Sequence, residues 1–281
     1  MKTVAAFAPG NMSGVFKIIP HESPSQMHSL GLGFTVRDGV EVEVGLARDA
    51  GDSTICFNGQ GIEFPTVGDV IAKLAPRPVA VRIESTLPLS SGFGLSGASA
   101  LATAHALNGL FELGHGEEDL AMIAHVAEVE NLTGLGDVCA QYHGGCLVKL
   151  TPGQPLAARP MPIAAGKPIF YRYFGPICTR AVLSDAEQAA RINTAADAAL
   201  EALGELSVKE RVEMDECIRV CRRFAKDSGL LRDDRVRGLI ADIEAAGGVA
   251  SMIMLGNAVF STSRFEGCKE TVLATRKGEL Q

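Results

Sequence analysis

Between Val40 and Val44 the chain alternates strictly, with Val40, Val42 and Val44 set against Glu41 and Glu43. That period of two predicts a strand with one face in solvent. Val4-Ala5-Ala6-Phe7 is an apolar run ended by Pro9-Gly10, and Val15 to Ile19 is a second strand candidate. Segments near Thr54–Phe57 and Val79–Glu84 complete a mixed sheet, with a short amphipathic helix at Val67 to Leu74 between them. The period then lengthens. Leu95 to Leu113 carries no charge before Glu112, and a helix without a polar face is a buried one. Glu117 to Asn131 reads as another helix, with Leu120, Ile123, Ala124 and Ala127 as its apolar positions. A strand from Cys146 to Leu150 follows, closed by Thr151-Pro152-Gly153.

The Pro- and Ala-rich segment from Gly153 to Gly166 is the best boundary between two lobes, placed at residues 1–160 and 161–281. Beyond it, strands are expected around Pro168–Phe174 and Ile177–Leu183. Ser184-Asp185-Ala186-Glu187 has the form of a capping box opening a long helix to Leu206. Helices near Val208–Asp227 and Asp234–Ala246, strands near Val249–Leu255 and Ala258–Ser261, and a terminal helix complete the reading. Strands and helices come in blocks, which predicts an α+β protein rather than a doubly wound sheet.

Composition narrows the functions. The 281 residues carry a net charge of −7, which argues against a general nucleic-acid binder. An apolar content of 47% is ample for a packed core. No apolar run approaches the roughly 18 residues of a membrane span, and the first residues lack a signal-peptide layout. The expectation is a cytoplasmic protein without membrane partners. The seven cysteines form no C-x-x-C pair and read as free thiols, most of them buried. Cys217 and Cys221 lie one helical turn apart, but two ligands do not make a metal site. Glycine stands out at 31 residues, and the positions of these glycines matter more than their number.

One glycine cluster is Pro88-Leu89-Ser90-Ser91-Gly92-Phe93-Gly94-Leu95-Ser96-Gly97-Ala98, between the strand ending at Glu84 and the apolar helix. Glycines allow tight turning and close approach to a ligand, and first-turn amides of a helix attract anions. The stretch is not a Walker loop, which needs Gly-Lys-Ser/Thr. Gly92, Gly94 and Gly97 fit G-x-G-x-x-G, but the β-α-β unit of a dinucleotide fold is missing. It is either a phosphate-binding loop or a tight turn into a core helix.

A second cluster runs from His125 through Glu128 and Glu130 to Gly134-Leu135-Gly136-Asp137. His125 and Glu128 share a helix face, and the glycines turn the chain so that Asp137 precedes a further short helix. Two carboxylates so placed suit metal binding and hydroxyl activation. They equally suit a solvated acidic face with Asp137 as a helix cap. His105 on the apolar helix reads as a core histidine. His143, ahead of Gly144-Gly145, is close to Asp137 in sequence, and His21 and His28 fall in a long polar loop.

In order as well as in letters, these segments resemble the GHMP kinase superfamily. The pointers are Ala8-Pro9-Gly10 after the first strand, the loop Pro88–Ala98, a helix glutamate, and Gly134-Leu135-Gly136-Asp137 followed by Gly144-Gly145. Within it the chain looks most like the archaeal pantoate kinases, through Ala8-Pro9-Gly10-Asn11-Met12-Ser13-Gly14, Ala127–Asn131 and Met254-Leu255-Gly256-Asn257. The resemblance implies a two-lobed α+β GHMP kinase fold, with an N-terminal lobe like domain 2 of ribosomal protein S5 and a ferredoxin-like C-terminal lobe. It implies ATP-dependent phosphorylation of the 4-hydroxyl of pantoate in coenzyme A synthesis, and a homodimer. Homoserine-, mevalonate- or shikimate-type acceptors, or a non-catalytic ligand-binding role, are the alternatives.

Residue by residue, the resemblance implies that the loop from Pro88 to Ala98 holds ATP. Ser96 and Glu128 hold Mg²⁺, and Asp137 is the base facing the substrate hydroxyl. Ser29 in a Ser-x-Gly-x-Gly turn, His125 and Lys149 hold the small hydroxy-acid substrate. Lys149 and Leu30 stand where the family pattern has arginine, and Asn11 stands where mevalonate kinases carry lysine.

Overall fold

The computed structural model describes residues 2–47 and 52–281. Its longest strands, β1 (Thr3–Ile19) and β2 (His28–Leu46), pair antiparallel along nearly their whole length. The two expected strands at 4–7 and 15–19 are therefore one, continued through Pro9-Gly10. Continuity survives because the ladder slips twice, between Pro9 and Asn11 and between Ser13 and Val15. Such bulges re-aim side chains while keeping the strand in its sheet. Asn11 turns its N–H out of the ladder to the Phe93 carbonyl at 2.8 Å. Opposite the second slip, Gly31 has φ +145°, and a Cβ there would lie 1.9 Å from the Val15 carbonyl oxygen. Ser29 thus sits in a strand and not in a turn, and His28 is the buried first residue of β2 rather than part of a polar loop.

The alternation at 40–44 is borne out, with its valines buried and glutamates exposed. The first sheet is completed by β3 (Thr54–Phe57), β4 (Gln60–Gly61), β5 (Val79–Glu84), β6 (Cys146–Lys149) and β7 (Arg159–Pro160). Helices α1 (Pro65–Leu74), α2 (Leu95–Phe111) and α3 (Glu117–Asn131) follow the expected bounds closely. α2 packs on β1 and β2 and is flanked by α1 and α3, which accounts for its lack of a polar face. The short α4 (Asp137–His143) leads into β6.

A second, antiparallel sheet has the order β11-β8-β10-β9, from β8 (Pro168–Pro176), β9 (Ala250–Met252), β10 (Gly256–Ser261) and β11 (Lys269–Val272). The expected strand at 177–183 is instead a short helix, α5 (Thr179–Leu183). β8 can go no further because its last partner is Gly256, the first residue of β10. Helix α6 (Ala186–Ser207) is capped by Asp185, whose carboxylate accepts from two first-turn amides, and not by a Ser184 box. A capping box does occur, formed by Glu213 and Glu216 at the start of α7 (Met214–Asp227), later than the sequence pattern suggested. α8 spans Asp234–Ala245. The expected terminal helix is replaced by β11 and by β12 (Glu279–Leu280), which returns to pair with Ala6 and Phe7 of β1.

Candidate active site

The loop after β5 reaches α2 through three residues at positive φ, Ser90 (56°), Gly92 (85°) and Gly94 (59°). Gly94 is the N-cap of α2, and no side chain caps the helix. The first-turn amides are therefore left for an anion. Glycine is required at 94 on a second count, since a Cβ there would lie 2.9 Å from the Cβ of Asp137. The loop is held from the other sheet as well: a Cβ on Gly256 would lie 2.0 Å from the Ser91 carbonyl oxygen.

Two carboxylates converge below this loop. Glu128 of α3 is 1% exposed, and its Oε1 accepts from the Thr133 hydroxyl at 2.6 Å. Its Oε2 is buried with no hydrogen-bond partner. A Cβ on Gly134 would sit 2.2 Å from that Oε2 and 3.1 Å from Oδ2 of Asp137, so the glycine turn is what lets the acids approach each other. Burial, and then the charge of Asp137, push the Glu128 carboxyl up to about 7. Asp137 opens α4. Its Oδ1 accepts from Asn11 Nδ2 at 2.6 Å and Ser13 Oγ at 3.0 Å. Burial raises its pKa against the pull of those two hydrogen bonds.

Two open cavities, of about 700 and 1050 Å³, meet at Ser13, Asp137 and Leu255. The larger is lined by Ser90–Ser96, by Ile62, Glu63 and Phe64, and by Ile177–Arg180 from the other side. Pro88, Gly97 and Ala98 stand behind this surface; Gly97 faces Glu128 Oε2, which a Cβ there would approach to 3.2 Å. The smaller cavity is lined by Asn11, Ser29, Leu30 and Lys149 among others. Lys149 Nζ donates to the carbonyls of Gln154 (2.5 Å) and Pro155 (3.0 Å), and burial lowers its pKa.

His125 is placed differently from Ser29 and Lys149. It does not line the smaller cavity; its Nε2 is bonded to the Met27 carbonyl at 2.9 Å, and burial depresses its pKa to about 4. It buttresses the segment entering β2. His143 is likewise committed to a carbonyl, that of Leu156. His105 is buried in α2. Asn11, Ser13 and Leu255 lie in segments that carry the family resemblance but have no role assigned to them there, and Arg180 lies in no motif; all four line the site. The bulges at 9–14 are what aim Asn11 and Ser13 at Asp137, and the motif that contains these residues does not by itself give their direction. Among the described residues no group of three or more His, Cys, Asp and Glu side chains could hold a metal ion by itself. All seven cysteines are free, and four are buried.

Comparison with known proteins places the chain in a family. Residues 65–145 match the GHMP kinases N terminal domain. The chain is 30% identical to a pantoate kinase of Methanospirillum hungatei over 272 residues, covering 93% of this chain and 88% of the relative. It is also 30% identical to a pantoate kinase of Methanocaldococcus jannaschii over 270 residues, covering 95% of each. A solved structure described as a phosphotransferase related to the CoA biosynthesis pathway superposes with a TM-score of 0.84 at 25% identity, covering 100% of this chain and 99% of the other.

Proposed function

Since the chain belongs to the GHMP kinases and is a phosphotransferase with an alcohol group as acceptor, we propose that it phosphorylates the 4-hydroxyl of pantoate, a step toward coenzyme A. The observation that carries this reading is the place of Asp137 in the wall shared by the two cavities. One cavity has the free amides of α2 and suits the phosphates of ATP, which GHMP kinases use. The other offers an apolar wall, from Val15, Leu30, Leu32 and Leu147, beside the Lys149 ammonium. Those features match a small acid with a dimethyl-substituted carbon and a carboxylate. The pantoate kinases among the relatives support the same substrate.

Phosphoryl transfer asks the protein mainly to position groups and to stabilise charge. With Oδ1 fixed by Asn11 and Ser13, Asp137 presents Oδ2 to the acceptor hydroxyl and takes its proton. The acceptor oxygen bonds to the γ-phosphorus as the bridging P–O bond breaks, and ADP leaves with that electron pair. Ser96 and Glu128 would hold Mg²⁺. The unpartnered, buried Oε2 of Glu128 fits a cation, and a site without a third protein ligand suits magnesium, which keeps waters and phosphate oxygens in its shell. When bound, the ion would supply neutralisation of phosphate charge. On this reading residues 1–160 are the nucleotide-binding lobe and residues 161–281 the second lobe.

The test is ADP release by the purified protein with Mg²⁺ and ATP, offered pantoate, homoserine, mevalonate or shikimate. Pantoate should give the highest kcat/KM by at least about 100-fold, the difference that a few kcal/mol of acceptor binding provides. Preference for another of the four acceptors overturns the assignment.

A further inference from the structure

Arg180 is carried by the short helix α5 and enters the larger cavity from the second-sheet side. Among the described residues lining that cavity, it is the one positively charged side chain, and Glu63 and Asp137 are the acids. Its guanidinium donates from Nε (3.3 Å) and Nη2 (3.0 Å) to a single neutral acceptor, the Asn131 carbonyl at the end of α3. It forms no ion pair with a described residue, and it is exposed. Asn131 is two residues from Thr133, which lines the same cavity and hydrogen-bonds Glu128. The guanidinium therefore sits on the rim of the cavity that Asp137, Thr133 and the loop also line.

A triphosphate entering this cavity brings several negative charges to a place that already holds Glu128 and Asp137. The loop supplies amides but no lysine. We propose that Arg180 is a further catalytic residue: its guanidinium exchanges the Asn131 carbonyl for oxygens of the transferring phosphoryl group. Arginine suits this role because its planar fork binds two phosphate oxygens at once, and charge-assisted bonds are stronger than the neutral one given up. No atom passes to or from Arg180. It stabilises the charge on the phosphoryl oxygens while the acceptor oxygen bonds to phosphorus and ADP departs. The inference rests on the ATP-dependent reading above and extends it to the second lobe, which then closes the site from the side opposite the loop.

The test compares Arg180→Gln and Arg180→Lys with the unaltered protein in three measurements. They are steady-state kinetics, calorimetric binding of Mg²⁺ with ADP or with a non-hydrolysable ATP analogue, and Tm without ligand. Arg180→Gln should lower kcat by about 10²–10³-fold, as loss of one donor to transition-state charge does. It should weaken the ATP analogue at least about tenfold while leaving ADP within about twofold, since only the analogue carries a γ-phosphate. Arg180→Lys should recover part of kcat, because charge without the fork remains. A pure latch between α5 and α3 would lower Tm and leave the ADP-to-analogue ratio unchanged, which overturns the proposal. So does an effect confined to the KM of the acceptor, which would put Arg180 on that substrate instead. Failure of the unaltered protein to bind either nucleotide overturns the underlying reading as well. Normal turnover with indifferent Arg180 variants overturns this inference alone.

Discussion

As the proposed base, Asp137 takes the acceptor's proton only through an oxygen that nothing else claims. Asn11 and Ser13 occupy Oδ1, so Oδ2 is the one left for chemistry. Asp137→Asn keeps the size and removes the basicity. It should lower kcat by about 10²–10⁴-fold, the range of general-base catalysis, while ATP binding measured by calorimetry changes little. Full activity in that variant would remove Asp137 from the role of base. His125 makes a prediction of a different kind. Its pKa is near 4 in the folded chain against an ordinary 6.5, so between those values the unfolded chain binds the proton that the folded one refuses. Its contribution is thus present above pH 6.5 and lost as pH falls towards 4, by about 3 kcal/mol in full. Glu128 works in the opposite sense, because its folded pKa is raised to about 7: the proton it keeps stabilises the fold at low pH, and that contribution is lost as pH rises through about 7. Urea unfolding of His125→Asn should therefore show a shallower fall in stability between pH 6.5 and 4 than the unaltered protein. An unchanged slope would mean that His125 is protonated in the folded state.

At the scale of elements, the contact between β10 and the loop is the most exposed to test. Gly256→Ala places a methyl 2.0 Å from the Ser91 carbonyl oxygen, so either the loop or the strand must move. The KM for ATP should rise at least about tenfold, against a smaller change for the acceptor, because misplacing a positioning group by an ångström is enough to lose such a factor. Equal rises in both would point to general distortion. The loop from Pro88 to Ala98 was legible in the sequence because its glycines, serines and apolar helix are contiguous, and so was the turn that brings Gly134 and Asp137 to Glu128. Asn11 and Ser13 were not, because their direction depends on two ladder slips that leave the periodicity of β1 looking broken. Gly256 lies in a recognisable motif, but its contact with Ser91 does not show in the sequence because the two are distant along the chain. The helix at α5 departs from expectation for a related reason: Ile177–Leu183 has strand composition, and only the end of its partner strand denies it a ladder. β11 carries no alternation over its four residues, with Lys269 and Glu270 exposed and Thr271 buried, so nothing in the sequence marks it as a strand.

For the whole molecule, the second sheet and its helices do more than cover a core. β10 supports the loop, and α5 brings Arg180 to the cavity, so residues from both halves of the sequence line one site. The same holds at the far end, where the Gly278 amide donates to the Gln141 carbonyl of α4 (2.8 Å) and Leu280 reaches Gly109 on α2. Removing residues 278–281 should lower stability by about 1–3 kcal/mol, the sum of a few hydrogen bonds and the contacts of a half-exposed leucine. It should lower kcat further than that loss explains, since α4 carries Asp137. Denaturant unfolding and kinetics on the same preparation separate the two effects, and full activity in the shortened chain would sever α4 from this support.

The pairing of β12 with β1 also sets an order in time. On a ribosome adding roughly 5–20 residues per second, Ala6 and Phe7 are made roughly 15–50 seconds before Glu279 and Leu280. Throughout that interval one edge of the first strand has unpaired backbone groups, the kind of edge along which other chains add. The nascent protein therefore has a vulnerable period built into its topology. It ends only when the final strand is delivered, and any chaperone that shields this edge has to release it at that moment.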